Sequence, residues 1–151
     1  MMTMLRNLIR FLKKKVNLIE QIKNHEGFKS TVYQCTEGYD TIGYGFAIKD
    51  LYLSEGIAEL ILREKLTHLK LKVGKKFDWF DDSPKIVQNV VISMCYQLGL
   101  SGFSQFKKTI YYLETEQYEE ASMEMLDSLW AKQTPNRARE LSELISTLAT
   151  D

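Results

Sequence analysis

The chain has 151 residues, enough for one domain that buries a core without disulfide or metal staples. Its apolar and charged fractions, 44% and 26%, exclude an intrinsically disordered chain. Twenty basic residues balance twenty acidic ones, which argues against a nucleic-acid-binding protein because such proteins usually need a basic surface. Two cysteines, Cys35 and Cys95, make no disulfide framework, so we expect the chain to fold in a reducing cytoplasm. Nothing in the sequence resembles a zinc ligand set, so we expect no bound metal.

Residues 1–15 form a basic N-terminal extension. Apolar residues recur at helical spacing among Arg6, Arg10 and Lys13, which predicts a short amphipathic helix; they are Met4, Leu5, Leu8, Ile9 and Leu12. The helix either packs on the body of the protein, the commoner fate of an apolar stripe, or makes a peripheral membrane contact through Met1–Lys15. The charges within it make a poor secretory signal, and no apolar run in the chain approaches the length of a membrane span.

Residues 16–73 are predicted to form a small lobe. A helix over Val16–Glu26 would bury one face, formed by Leu18, Ile19 and Ile22, and end on Glu26. Partial burial there would raise the pKa of the Glu26 carboxyl group, as a general acid requires. The alternative, and the commoner fate of a glutamate, is an exposed or ion-paired side chain. A β-hairpin or three-stranded ribbon follows. A long connecting helix then starts near Ser54 and ends near Gly74, with its buried side formed by Ile57, Leu60, Ile61, Leu66 and Leu69.

Residues 74–151 are predicted to form a larger helical lobe. Its central helix starts at Ser83–Pro84, is apolar over most of its circumference and contains Cys95 as a core residue. Gly99 and Gly102 should break the chain, and three more helices follow, over Phe106–Leu113, Tyr118–Trp130 and from Thr134, which should cap the last. The pattern therefore predicts a predominantly α-helical α+β chain in two lobes.

Four segments resemble the phage-type lysozymes. The segment Glu26–Gly45, EGFKSTVYQCTEGYDTIGYG, is similar to the active-site hairpin of that family, whose signature is Glu, eight residues, Asp or Cys, five residues and Thr. SMCYQLG, SGFSQF and LWAKQTPNRA resemble the helices of the family's large lobe in the right order. The resemblance covers Val16–Ile145. It implies a two-lobed lysozyme-like fold and hydrolysis of the β-1,4 bond between N-acetylmuramic acid and N-acetylglucosamine in peptidoglycan.

The resemblance also implies roles for particular residues. Glu26 matches the catalytic acid that protonates the departing glycosidic oxygen, and Thr41 matches the residue that orients a water on the opposite side. Arg137 matches an arginine that approaches the glutamate from the large lobe. Gln97 and Glu37 match cleft positions that meet the sugar or the peptide stem. No organic cofactor is implied.

Cys35 occupies a position where many members of the family have Asp and a minority have Cys. A thiolate there could stabilise positive charge on the sugar or help to place water if its pKa falls below that of a free thiol. The alternative is that Cys35 is a hairpin residue and that Asp40 supplies any carboxylate the reaction needs. A disulfide between Cys35 and Cys95 is not expected.

Compared with the T-even phage enzyme, the chain is shorter between Phe46 and Ser54 and at its C-terminus, and longer in front. We hypothesise that the added helix covers surface left bare by the short tail. The resemblance implies a monomeric endolysin of the bacterial host cytoplasm that reaches the periplasm and cell wall after holin-mediated release. Three alternatives stay open: a lytic transglycosylase, a catalytically inactive glycan-binding or structural phage component, and a protein that acts on membranes through its N-terminal helix.

Overall fold

A computed structural model describes residues 1–13 and 17–150, and the chain divides into two units, Met1–Ser54 and Glu55–Asp151. Lys14, Lys15, Val16 and Asp151 lie outside the described residues, as do the side chains of residues 8–13 and of Thr150. Helices predominate in the described part, beside one small antiparallel sheet, so the predicted α+β class is confirmed.

The first unit consists of two helices followed by a sheet. Its elements are α1 (Met2–Lys13), α2 (Leu18–Glu26), β1 (Lys29–Gln34), β2 (Asp40–Gly43), β3 (Phe46–Ala47) and a 3₁₀ turn (Ile48–Asp50). The strands pair antiparallel in the order β1-β2-β3, which confirms the predicted three-stranded ribbon. The predicted start of α2 at Val16 lies outside the described residues; within them, the Asn17 side chain accepts a hydrogen bond from the backbone N–H of Ile19 and caps the helix.

The predicted buried face of α2 is wrong. Leu18, Ile19 and Ile22 are 65%, 65% and 46% exposed. Among the residues of this unit whose burial the structure describes, only Thr41 and Gly43 of the sheet are buried, and Gly43 has no side chain, so the unit offers no core to receive the stripe. Helical spacing identifies an apolar face, but burial depends on another element that covers it.

The second unit consists of helices joined by turns, with no strand among its described residues. It contains α3 (Glu55–Lys76), α4 (Lys85–Phe103), α5 (Lys107–Glu114), α6 (Tyr118–Leu126), α7 (Leu129–Gln133), α8 (Pro135–Ser146) and a 3₁₀ turn (Thr147–Thr150). As predicted, α4 is the central helix, and seven of its residues are buried: Val87, Val90, Val91, Ile92, Met94, Cys95 and Phe103. Its backbone kinks at Gly99, where φ is +73°, whereas Gly102 stays within the helix.

Among the described helices, α4 is also the one whose length and composition would suffice to cross a membrane. In the sequence, no apolar run approaches the length of a membrane span, because Gln88, Asn89 and Gln97 interrupt the apolar residues of this segment. The seven buried residues of α4 identify it as a core helix, a class that passes the same test of length and hydropathy.

The predicted buried side of α3 is only partly correct. Ile57, Leu60 and Ile61 are 50%, 61% and 41% exposed, whereas Leu66 and Leu69 pack against the core. The difference arises because the part of α3 that packs on the hydrophobic core starts at Leu66. The helix also continues two residues past Gly74 to Lys76, since a glycine weakens a helix without necessarily ending it.

The predicted helix over Tyr118–Trp130 is two helices. Ser128 separates them: its hydroxyl donates to the carbonyl oxygen of Met125 at 2.7 Å and accepts from the backbone N–H of Ala131 at 3.1 Å, which caps α7. The predicted capping role of Thr134 is wrong, because its hydroxyl donates to the carbonyl oxygen of Trp130 at 3.0 Å and makes no cap bond to α8.

Candidate active site

The carboxylate of Glu26 lies directly over Gly45. Glu26 is the last residue of α2, and Gly45 occupies the turn between β2 and β3 with φ at +77°. A Cβ atom on Gly45 would lie 2.6 Å from Oε2 of Glu26, much closer than such atoms approach one another. Position 45 therefore needs glycine for two reasons, its left-handed backbone and the carboxylate above it. Glu26 itself is exposed, so of the two alternatives the structure shows the exposed side chain and not the partly buried one.

Cys35, Tyr39 and Thr41 are joined around the turn between β1 and β2. The backbone N–H of Cys35 donates to the carbonyl oxygen of Tyr39 at 3.0 Å, and that of Gly38 donates to the carbonyl oxygen of Cys35 at 2.9 Å. Thr41 is only 4% exposed, and its hydroxyl donates to the carbonyl oxygen of Tyr39 at 3.0 Å. The same hydroxyl is close enough to the Cys35 thiol to lower the pKa of that thiol. The turn thus places the thiol and the hydroxyl side by side.

Hydrogen bonds lower the pKa of the half-buried Cys35 thiol. The largest contribution comes from the backbone of Tyr39, followed by the backbone of Glu37, and the Thr41 hydroxyl adds a smaller one. Desolvation and the Glu37 carboxylate oppose them without cancelling them. The pKa shift has the direction that a thiolate role requires. Both cysteines are free, as predicted, and burial raises the pKa of Cys95 to about 12.

These two pKa shifts predict very different reactivities. In native protein titrated with iodoacetamide, Cys35 should be alkylated with a midpoint pH below that of a free thiol, about 8.5, whereas Cys95 should react only after unfolding. Peptide mass spectrometry assigns each modification. Thr41→Val serves as the companion variant and should raise the midpoint, because it removes a hydroxyl that lowers the pKa of the thiol. A Cys35 midpoint equal to that of glutathione measured alongside would contradict the prediction.

Gln97 and Arg137 belong to the second unit. The indole N–H of Trp130 donates to Oε1 of Gln97 at 3.0 Å. This bond fixes the orientation of the amide, because only its oxygen can accept from an indole, and it leaves both amide N–H groups unused by Trp130. Arg137 lies in the first turn of α8 with its side chain exposed.

The structure thus places four of the predicted site residues in the first unit and two in the second. Glu26, Cys35, Glu37 and Thr41 belong to Met1–Ser54, where Cys35 and Thr41 flank the turn between β1 and β2. Asp40, the alternative source of a carboxylate, begins β2 opposite Gln34 and is exposed.

Sequence reasoning missed two supporting contacts. It did not anticipate the Glu26 carboxylate above Gly45. It also did not single out Trp130 as the partner of Gln97. Both residues lie inside matched segments, YDTIGYG and LWAKQTPNRA, and for Trp130 the available signal was the indole itself, because a buried indole N–H usually has an acceptor.

Comparison with known proteins identifies the family of the chain. The family model of phage lysozyme matches residues 23–145. Similar relatives include probable T4-type lysozyme 1 of Dictyostelium discoideum, 29% identical over 85% of this chain and 92% of the relative. Probable T4-type lysozyme 2 of the same organism is 27% identical over 87% of this chain and 94% of the relative.

A further relative is a much larger phage protein. The pre-baseplate central spike protein Gp5 of Enterobacteria phage T4 is 26% identical over 87% of this chain, but the match covers only 28% of the spike protein. The family match spans most of the chain and includes all six predicted site residues. The chain therefore belongs to the phage lysozyme family and has a lysozyme-type function.

Proposed function

We propose that the chain is a muramidase that hydrolyses the β-1,4 bond between N-acetylmuramic acid and N-acetylglucosamine in peptidoglycan. The observation that carries the proposal is the local geometry of the first unit. Glu26 presents an exposed carboxyl group held over Gly45, and the turn after β1 presents a thiol of lowered pKa together with the Thr41 hydroxyl, which contributes to that shift. An acid and a water-holding pair are what hydrolysis with inversion requires.

In the proposed reaction, protonated Glu26 donates its proton to the glycosidic oxygen. The bond between that oxygen and the anomeric carbon breaks, and its electron pair stays on the oxygen of the leaving sugar. A water attacks the anomeric carbon from the other face. Its hydroxyl becomes the new reducing end, and its proton passes to the Cys35 thiolate, whose lowered pKa keeps the anion accessible. Thr41, with one O–H donor and two lone pairs, can orient this water.

The second unit supplies groups for binding substrate. Since Trp130 occupies Oε1 of Gln97, we propose that the amide N–H groups of Gln97 donate to carbonyl oxygens of the N-acetyl groups or the peptide stem. The exposed guanidinium group of Arg137 offers a positive charge to acidic groups. The exposed carboxylate of Glu37 offers acceptors for sugar hydroxyls.

Mass spectrometry of the soluble products from purified peptidoglycan tests this function. Hydrolysis adds one water and leaves reducing-end muropeptides. A lytic transglycosylase, which the absence of Asp at Cys35 makes the nearest alternative, forms an internal 1,6-anhydro ring and consumes no water. Reducing-end products support the proposal, and anhydro products would replace it with the transglycosylase reaction. If no soluble product were released, a glycan-binding or structural role would remain.

Gly45→Ala should lower kcat with little change in KM. The added Cβ would meet Oε2 of Glu26 and displace the carboxylate by about an ångström, a misplacement that can cost roughly 10²-fold. Gly99→Ala is the matched control, because Gly99 has a similar φ of +73° but no atom within 4 Å of an added Cβ. Gly99→Ala should lower the melting temperature, because alanine is strained at this positive φ, and should leave kcat unchanged. Equal losses of kcat in both variants would refute the positioning role of Gly45.

We propose in addition that the activity serves lysis of a bacterial cell as an endolysin, with export from the cytoplasm to the wall provided by a holin. Similarity to two T4-type lysozymes over most of their length supports a lytic enzyme over a spike component, because the spike relative is matched over only 28% of its length. The test is co-expression of the Glu26→Gln variant with a holin in a bacterial cell. Loss of the lysis that the wild type causes would support this role, and lysis equal to that of the wild type would exclude it.

A further inference from the structure

The helix α1 carries apolar side chains that the protein leaves in solvent. Met2, Met4 and Leu5 are 76%, 82% and 60% exposed, so no other described element of the first unit covers these side chains. In the sequence the same spacing continues through three further apolar residues, Leu8, Ile9 and Leu12.

The charge on α1 has a single sign. The helix contains Arg6, Arg10 and Lys13 and no acidic residue, and the sequence adds Lys14 and Lys15 immediately afterwards. Five basic residues in ten positions are a local excess within a chain whose net charge is zero. Basic clusters of this size on an amphipathic helix are attracted to the negative surface of anionic phospholipids.

We propose that α1 is a membrane-docking helix that lies flat on a bilayer containing anionic phospholipid. Its 12 residues span about 18 Å, too short to cross a bilayer but sufficient to lie in the interface. The exposed methionines and Leu5 would enter the boundary between headgroups and acyl chains, and the basic residues would contact phosphate groups. Charge complementarity favours a lipid surface over a second protein surface. An anionic bilayer offers phosphate groups and apolar chains along the whole helix, whereas a protein would need acidic and apolar groups at the matching positions.

Sedimentation of the full chain with vesicles tests the proposal and does not depend on catalysis. Wild type should sediment with phosphatidylglycerol vesicles, bind weakly to phosphatidylcholine alone, and be released by rising salt, because salt screens the phosphate contacts. Arg6→Gln should weaken binding about fivefold, since each basic residue near an anionic surface contributes a factor of this size. Arg139→Gln, the same change at an exposed position in α8, should leave it unchanged.

Leu5→Asp tests the apolar contact separately. Binding to phosphatidylglycerol vesicles should weaken by about tenfold, because the aspartate replaces buried apolar surface and repels phosphate. Leu71→Asp is the matched control, since Leu71 on α3 is also 60% exposed, and it should bind as the wild type does. The melting temperature of both variants should stay close to that of the wild type.

Three results would overturn the proposal: no binding of the wild type to phosphatidylglycerol, equal binding to both lipids, or equal binding of Leu5→Asp and Leu71→Asp. A melting temperature lowered by Leu5→Asp, together with no vesicle binding by the wild type, would instead make α1 a packing element. The Glu26→Gln protein should bind vesicles as the wild type does, so failure of the proposed reaction and failure of membrane docking are distinguishable.

Discussion

Glu26→Gln should lower the rate of peptidoglycan cleavage by about 10²–10⁴-fold, the usual contribution of a positioned general acid. The amide has nearly the same shape as the carboxyl group but has no acidic proton to give to the glycosidic oxygen. The fold should not suffer, because Glu26 is exposed and ends α2, where a negative charge opposes the helix dipole. We therefore expect a melting temperature equal to or slightly above that of the wild type.

Glu20→Gln provides a control on the same helix with the same change of charge. Glu20 lies in the first turn of α2, where its charge favours the helix dipole, and it pairs with Lys23 at 2.9 Å. Its replacement should lower the melting temperature slightly and leave the rate unchanged. Turbidity loss of a peptidoglycan suspension gives the rates, and circular dichroism gives the melting temperatures. If Glu26→Gln kept more than about a tenth of the activity, Glu26 would not be the general acid.

Phe103→Ala should lower the free energy of unfolding by about 3–5 kcal/mol, the range measured for large aromatic deletions in protein cores. Phe103 is 0% exposed at the end of α4. Its ring meets that of Phe77 edge-on at 5.8 Å and stacks on that of Phe106 at 6.3 Å. Removal of the ring loses both contacts and leaves a cavity that the packed helices cannot fully close.

Tyr111→Ala is the surface control for this prediction. Tyr111 is 56% exposed and contacts Tyr112 at a ring separation of 5.5 Å, so its loss should cost less than about 1 kcal/mol. Urea unfolding of the full chain, followed by circular dichroism, gives both free energies. A loss below about 1 kcal/mol for Phe103→Ala would mean that the second unit does not depend on this aromatic cluster.

Much of the candidate site could be predicted because its parts are close in the chain. Cys35 and Thr41 are six positions apart, and the turn between them is set by its own sequence, TEGYD, and by backbone hydrogen bonds within it. The lowered pKa of Cys35 follows from the same local bonds. The spacing from Glu26 to Cys35 and Thr41 carried the resemblance to the family, which the match over residues 23–145 confirmed.

The supporting contacts could not be predicted in this way. Gly45 lies nineteen positions after Glu26, and Trp130 lies 33 positions after Gln97. Nothing in either residue's immediate neighbourhood specifies the partner, because the contact forms only when separate elements meet. The break at Ser128 was missed for a related reason, since its hydroxyl serves two neighbouring helices at once and the apolar spacing runs on across it.

The sequence alone determined most of the helices, the small sheet, the central position of α4 and the family resemblance. These features depend on spacing and turn chemistry within short stretches, and α4 is apolar around so much of its circumference that few arrangements could expose it. The tertiary structure alone decided which apolar faces are buried. The stripe of α2 and the first half of the α3 stripe face solvent, whereas the second half of α3 joins the core. An apolar stripe records a preference for burial, but burial itself requires a second surface, and only the folded chain shows where that surface lies.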